Sequence, residues 1–346
     1  MDLRQTLKAL CKAEGVSGEE QTAAQVAMQL LHAYTDEVLM DDFHNVIGVI
    51  QLPKPGQKTV LLDAHIDQIG LIVTHIDDRG FLKVANCGGV DRRLLLGQEV
   101  RVLSRTPVSG VVAVSPLLGE KKAPQMEEVL IDVGMSQKEA SASIQVGDRV
   151  LLESEFCMLL GDRVSSMALD DRSGVACILD TLSKLNARGK LSGDGLPYGL
   201  TVLFSSQEET GEIGAKIGGY TLHPDIAIAL DVSFAHTPDA NEFKCGKMGK
   251  GVMIGIAPSL TKEISDTFLR LAREQQIPHQ VEVMGGTTGT NADALGIQRG
   301  GMQTGLLSIP QKYMHTPIEV VDLADMESVS DLLTAYLLQL DGGVQA

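Results

Sequence analysis

Two adjacent glutamates, Glu208 and Glu209, lie in the stretch FSSQEETGEIGA, between an apolar run and a glycine-rich turn. Adjacent carboxylates repel each other, and small polar residues would form the same turn without that repulsion. Such a pair is most often part of a solvated turn, so a chemical role requires further side chains beside it. The sequence contains a set of such side chains at comparable positions.

Histidines and carboxylates flank several of the apolar runs that predict β-strands and helices. They are His65 and Asp67 after TVLLDA, Asp231 after IAIAL, His315 after TGLLSIP, and Asp170 and Asp171 before RSGVACILDTL. Ligand sites in open α/β sheets lie outside the carboxyl ends of the strands. We therefore expect these side chains to meet at one edge of a sheet.

Histidines combined with carboxylates form the ligand set of a hydrolytic, zinc-type site for divalent metal ions. Each member alone has a simpler explanation. Two aspartates before a helix usually cap it, and a lone histidine after a strand is usually structural. The combination from five distant segments favours the metal site.

The tripeptide HID occurs twice, in two different contexts. His65 and Asp67 follow a run typical of a buried strand, where a carboxylate two residues after a ligating histidine is well placed to orient it. His75 and Asp77 adjoin the pattern DDRG, which is typical of a hairpin turn. We expect a structural role for this second copy.

No nucleophile motif competes with the metal site. The sequence lacks G-x-S-x-G, and Ser205 and Ser206 have no obvious catalytic histidine nearby. The cysteines number five, form no C-x-x-C pair and lie in apolar or β-patterned surroundings. We therefore expect structural thiols in a reducing, cytoplasmic environment.

The formal net charge of −16 argues against a nucleic-acid partner, which would usually require a basic face. The N-terminal stretch is charged throughout and lacks the apolar core of a signal peptide. No apolar run approaches the roughly 18 residues that span a bilayer. We expect a soluble protein with no membrane partner.

The predicted elements indicate an α/β fold with a mostly parallel sheet flanked by helices, because strands alternate with helices outside the middle of the chain. From about residue 70 to 160, short β-branched runs alternate with turn signals and predict a small all-β unit. We expect residues 1–69 and 161–346 to form one catalytic domain, interrupted by a β-rich inserted domain at 70–160.

Five motifs occur in order along nearly the whole chain: AHIDQIG, ALDDRSG, SSQEETGEIGA, ALDVS and SIPQKYMHTPIEVV. Together they resemble the dinuclear-metal aminopeptidases of the glutamyl aminopeptidase (TET-type) family, related to the leucyl aminopeptidase and carboxypeptidase clan. The resemblance implies a metallo-aminopeptidase that binds two divalent metal ions per subunit, zinc or cobalt. It also implies a homo-oligomer, from dimer to dodecamer, in which the inserted domain serves dimerisation.

Position by position, the resemblance also implies roles for individual residues. The implied metal ligands are Asp170, which bridges both ions, His65 and Asp231 at one ion, and Glu209 and His315 at the other. Glu208 is implied to be the general base, and Asp67 to orient His65. A cis peptide bond is implied between Asp170 and Asp171.

Three positions depart from the family's usual pattern. Gln68 stands where glutamate is usual, Asn291 where aspartate is usual, and Lys312 where arginine is usual. None of the three is an implied metal ligand. The departures therefore concern substrate preference more than catalysis.

The implied reaction removes N-terminal residues from peptides with a free N-terminus, using a metal-activated water as nucleophile. An alternative is a related dinuclear-metal hydrolase that acts on N-acyl or other small amides and shares every ligand. A third hypothesis is a carbohydrate-active enzyme or an inactive scaffold. A glycosidase, however, has no use for paired histidines, and a scaffold that had lost catalysis would be expected to lack a ligand.

Overall fold

The computed structural model describes residues 1–113, 123–191, 195–238, 240–241 and 244–340. The described α-helices are α1 (Leu3–Lys12), α2 (Gln21–Leu31), α3 (Gln137–Ser143), α4 (Leu169–Ala187), α5 (Ile213–Leu222), α6 (Lys262–Glu274), α7 (Asn291–Gly296) and α8 (Leu323–Gln339). The first nine strands are β1 (Val38–Met40), β2 (Val46–Gln51), β3 (Thr59–His65), β4 (Gly70–Ile76), β5 (Leu82–Cys87), β6 (Glu99–Val102), β7 (Val108–Val112), β8 (Leu130–Asp132) and β9 (Arg149–Leu152). The remaining strands are β10 (Cys157–Met158), β11 (Arg163–Ser166), β12 (Gly199–Ser205), β13 (Ile226–Phe234), β14 (Val252–Ile256), β15 (His279–Val283), β16 (Gln303–Gln311) and β17 (Glu319–Asp322).

Eight strands form the main sheet, in the order β1-β2-β12-β3-β13-β16-β14-β15. The central strands β12, β3, β13 and β16 run parallel to one another. Towards the edges, β2 is antiparallel to β12 and β14 is antiparallel to β16. The prediction of an α/β fold with a mostly parallel sheet is confirmed.

Helices cover both faces of this sheet, and the alternation of residues along β3 shows how. Val60 and Leu62 belong to the large buried cluster that includes residues of α4 and α8. Leu61, which points the opposite way, belongs to a second cluster with Ala215 of α5 and Leu295 of α7. In the described part of the chain, no helix is long and apolar enough to cross a membrane.

A closed barrel of six strands, in the order β4-β5-β8-β7-β6-β9, forms a second unit. Its buried core includes Leu71, Val84, Val100 and Val150. The prediction of an all-β unit is wrong in one respect, because the segment between β8 and β9 forms helix α3. This helix begins with a capping box of Ser136 and Glu139. Strand β10 lies outside the barrel, in a three-stranded sheet with β11 and β17.

Candidate metal centre

The predicted ligands lie at the carboxyl edge of the parallel strands. Strand β3 ends at His65, which is in register with Ser205 at the end of β12. Asp231 lies near the end of β13, in register with Ser308 of β16. Since these strands are parallel neighbours, the segments that follow them reach the same edge of the sheet.

His65, Asp170 and Asp231 form a first donor set, whose ligand atoms all lie within 4.8 Å of one another. His65 Nε2 lies 3.0 Å from Asp170 Oδ1 and 4.0 Å from Asp231 Oδ1. All three side chains are buried. Burial, with the neighbouring Asp171, raises the pKa of Asp231 well above its ordinary value. A divalent cation would offset this concentration of negative charge.

Asp170, Glu209 and His315 form a second donor set of the same compactness. His315 Nε2 lies 3.4 Å from Asp170 Oδ2 and 3.3 Å from Glu209 Oε2. Asp170 thus presents one oxygen to each histidine. Its burial opposes ionisation, but its hydrogen bonds with His315 and His65 prevail and lower its pKa. The donor types of both sets fit divalent metal ions.

Asp67 connects the first donor set to the paired glutamates. Its Oδ1 lies 3.3 Å from His65 Nδ1, the ring nitrogen that faces away from Asp170. Its two oxygens also accept hydrogen bonds from the backbone N–H groups of Glu208, at 3.0 Å, and Glu209, at 3.2 Å. The backbone oxygen of Asp67 also lies 3.2 Å from His65 Nδ1, so Asp67 contacts the imidazole twice while its carboxylate fixes the turn that carries both glutamates.

Glu208 belongs to neither donor set, although its side chain lines the same cavity as Asp170 and Glu209. Burial and the neighbouring carboxylates Asp67 and Asp170 raise the pKa of Glu208 to about 7, against the opposing effect of His65. A carboxyl group with this pKa can accept and release a proton near neutral pH.

Glu319 is a residue of the site that the sequence prediction missed. Its Oε2 accepts hydrogen bonds from the backbone N–H groups of Leu169 and Asp170, at 2.9 and 3.2 Å, and its Oε1 accepts one from His315 at 3.0 Å. It is buried in strand β17. Its signal in the sequence is a single glutamate inside the apolar run PIEVV, four residues after His315.

The structure brings together the five predicted ligands, with Glu208 in the same cavity and Asp67 behind His65. Their roles in binding and catalysis stay a prediction. The peptide bond between Asp170 and Asp171 is cis, as the resemblance implies. Elsewhere, Asp77 accepts hydrogen bonds from the N–H groups of Arg79 and Phe81 and stabilises a hairpin turn, so the second HID motif is structural.

The three departures from the family pattern occupy different environments. The side-chain oxygen of Gln68 accepts a hydrogen bond from the buried guanidinium of Arg172 at 3.0 Å. Asn291 Nδ2 donates to Asp63 at 2.9 Å and to Ser205 at 2.8 Å. Lys312 forms a backbone pair with Val320. Gln68 and Asn291 are therefore hydrogen-bonded to buried side chains that are near the predicted ligands in the sequence.

Comparisons with known proteins identify the family of the chain. The family model of the M42 glutamyl aminopeptidases matches residues 44–332. A putative aminopeptidase of Acetivibrio thermocellus is 32% identical over 96% of this chain and 97% of its own length. A lysyl aminopeptidase of Pyrococcus furiosus is 30% identical, with 96% of each chain covered.

A solved structure shows the same similarity in three dimensions. It is the TET1 peptidase of Pyrococcus horikoshii, described as assembling into a tetrahedron or a large octahedral shell. It matches with a TM-score of 0.85 and 29% identity, covering 98% of this chain and 100% of that one. With a family model that spans most of its length and curated relatives along nearly all of it, the chain belongs to the M42 glutamyl aminopeptidase family.

Proposed function

We propose that the protein is a metal-dependent aminopeptidase that removes N-terminal residues from peptides with a free amine. The observation that carries this proposal is the pair of donor sets that share Asp170, in the wall of one cavity. His65 and Asp231 would hold one divalent ion, and Glu209 and His315 the other. Zinc and cobalt both suit such ligands.

The chemistry that two such ions supply when bound is Lewis acidity toward the scissile carbonyl and a lowered pKa for a water. The chain's own residues supply the rest. The carboxylate of Glu208 accepts the proton of the attacking water and delivers it to the leaving amine. Burial favours proton uptake by this carboxylate, because it raises the pKa above its ordinary value. Asp67 keeps His65 oriented through the hydrogen bond at Nδ1.

The charge of the cavity supports a substrate with a free amine. The cavity has a volume of about 930 Å³, and besides the metal ligands its wall includes the carboxylates of Glu208, Glu212 and Glu282. Among its described lining residues, Lys244 is the single lysine. A cleft lined by one sign of charge concentrates ligands of the opposite sign, so a substrate ammonium is favoured over an acylated, neutral end.

The proposal extends to domains and assembly. Residues 70–160 would form the inserted unit, with residues 1–69 and 161–346 as the catalytic domain. The inserted unit would contribute to a homo-oligomer, from dimer to dodecamer. The similarity to a peptidase that assembles into closed shells supports this.

The test compares a good peptide substrate with the same peptide acetylated at its N-terminus. The enzyme is first stripped of metal by a chelator and then reloaded with zinc or cobalt. We expect turnover of the free peptide alone, and only after reloading. Equal rates on both peptides would favour the hydrolase of N-acyl amides instead, and full activity of a metal-free protein would refute the metal site.

A further inference from the structure

A carboxylate outside the donor sets lies in the wall of the same cavity. It is Glu282 of β15, the last strand of the main sheet. Its Oε1 accepts a hydrogen bond from the hydroxyl of Ser233, and its Oε2 accepts one from the hydroxyl of Ser308 at 2.9 Å. Neither the donor sets nor the proton transfer described above uses this side chain.

The two serines place Glu282 beside the metal centre. Ser308 of β16 is the register partner of Asp231, and Ser233 lies two residues beyond Asp231 on β13. Because side chains alternate along a strand, Ser233 and Asp231 point to the same side of the sheet. The Glu282 carboxylate is therefore held on the same side of the sheet as Asp231, by hydroxyl groups of β13 and β16.

Two hydroxyl groups hold this carboxylate but bring no positive charge. Among the described residues, no lysine, arginine or histidine forms an ion pair with Glu282 within 4.0 Å. Lys244 lines the same cavity. Burial raises the pKa of Glu282, although its two hydrogen bonds oppose the rise. An anion in these surroundings gains most from a cation that a ligand brings.

Apolar residues also line this cavity, among them Met284, two residues after Glu282, and Met314. Lysine and arginine side chains combine a long aliphatic stem with a cationic end, and they place the stem on apolar surface while the end meets a polar partner. The cavity therefore offers both kinds of contact that such a side chain makes.

We propose that Glu282 binds the side-chain cation of the substrate's first residue, so that the enzyme prefers peptides that begin with lysine or arginine. The inference rests on the proposed aminopeptidase function and names the substrate class of that site. Glu282 determines specificity and takes no part in the bond cleavage itself.

The experiment uses lysyl and norleucyl p-nitroanilides, because norleucine has lysine's aliphatic stem without the terminal amine. The ratio of their kcat/KM values measures recognition of the charge alone. We expect the metal-loaded wild type to favour the lysyl substrate. Glu282→Gln should lower that ratio roughly 10- to 100-fold, the effect of a lost hydrogen bond to a charged group, and norleucyl turnover should change little.

Glu212→Gln is the matched control. It also removes one carboxylate from the cavity wall, but Glu212 already pairs with Lys216 at 3.3 Å. The ratio should therefore stay near the wild-type value. Inhibition of the wild type by free lysine and free norleucine gives a further readout that does not depend on a variant's folding, and lysine should inhibit about tenfold more strongly.

The possible results separate this inference from the proposed function. If the reloaded wild type cleaves neither substrate, the aminopeptidase function fails. If it cleaves both and Glu282→Gln leaves the ratio unchanged, only the role of Glu282 is refuted. An equal loss for both substrates would also refute it, because Glu282 would then bind the α-amine that they share.

Discussion

Glu208 and Glu209 are adjacent in the chain, yet their side chains meet different partners. Glu209 Oε2 lies 3.3 Å from His315 Nε2 and belongs to a donor set, whereas Glu208 belongs to none. Their backbone N–H groups, in contrast, share one acceptor, the carboxylate of Asp67. Two adjacent residues of one turn are thus placed differently, one inside a donor set and the other outside both.

The two glutamates should therefore fail differently when they are changed. Glu208→Gln should keep both metal ions and lose at least the roughly 10²–10⁴-fold contributed by a general base. Glu209→Gln replaces an anionic ligand by a neutral amide, so one ion should bind much more weakly. Excess metal should restore part of the activity of Glu209→Gln and none of that of Glu208→Gln, as measured by kinetics and elemental analysis. A reversed pattern of rescue would exchange the two roles.

Glu319 should be needed to position the centre, although it is no ligand. Glu319→Ala removes the acceptor of three backbone N–H groups. Each unsatisfied buried group costs about 1–3 kcal/mol, so thermal unfolding should shift to lower temperature. Because Asp170 and His315 lose their support, metal affinity should fall roughly 10- to 100-fold. Unchanged affinity by calorimetry would show that the ligands hold their positions without Glu319.

The residue scale also shows what sequence reasoning can find. His65, Asp170 and Glu209 stand at the ends of predicted strands or before a helix, where polar residues have a recognisable position. Glu319 begins strand β17 and Glu282 lies within β15, and nothing in the neighbouring sequence distinguishes either from a solvent-facing residue of an amphipathic strand. Their importance follows from contacts with residues far away in the sequence, which local pattern does not contain.

At the scale of elements, alternation and turn signals predict the central strands and most helices. They do not predict strands β14 and β15, whose runs VMIGI and HQVEV are only five residues long. The direction of β14 against β16 depends on packing within the sheet rather than on its own residues. Helix α3 is missed for a similar reason, since a seven-residue helix within β-rich sequence has little periodicity to show.

Asp325, in the first turn of α8, should make the stability of the protein depend on pH. The buried Asp325 carboxylate accepts hydrogen bonds from the N–H groups of Gly249, at 2.7 Å, and Gly251, at 2.6 Å. Burial raises its pKa from 3.8 to about 6, against these two hydrogen bonds. Because the pKa of Asp325 is higher in the folded protein than in the unfolded chain, the fold binds this proton more tightly. The resulting stabilisation is fully present below pH 3.8 and is lost as the pH rises through about 6.

Asp325→Asn should therefore remove part of the decline in Tm between about pH 4 and pH 6. Calorimetry of the wild type and the variant across that range measures the difference. Glu327→Gln, at an exposed position of the same helix, is the control and should follow the wild-type curve. Parallel curves for the wild type and Asp325→Asn would show that Asp325 does not titrate in this window.

At the scale of the whole molecule, metal removal should reduce stability as well as activity. The chain carries a net charge of −16, and the centre adds local repulsion among Asp170, Glu209 and Asp231. Ligands that bind only the folded state stabilise it according to their concentration and affinity. Chelation should thus lower Tm, and zinc or cobalt should restore it. An unchanged Tm in protein shown to be metal-free would contradict this.

Assembly is the second prediction for the whole molecule. The native mass by light scattering should be a multiple of the 37.0 kDa chain, because relatives of this architecture form closed shells. The exposed apolar side chains of Met158, Leu159 and Leu160 are surface that such contacts could cover. A fully active monomer at working concentration would refute the prediction.

The order of the ligands along the chain has a consequence for biosynthesis. A ribosome delivers the N-terminal part first, so a growing chain holds His65, Asp170, Glu209 and Asp231 long before His315 has been made. Strand β16, which lies between β13 and β14 in the sheet, is also among the last elements to emerge. On the proposed ligand assignment, the second donor set is complete only near the end of synthesis, and we expect a chain that ends before His315 to lack aminopeptidase activity.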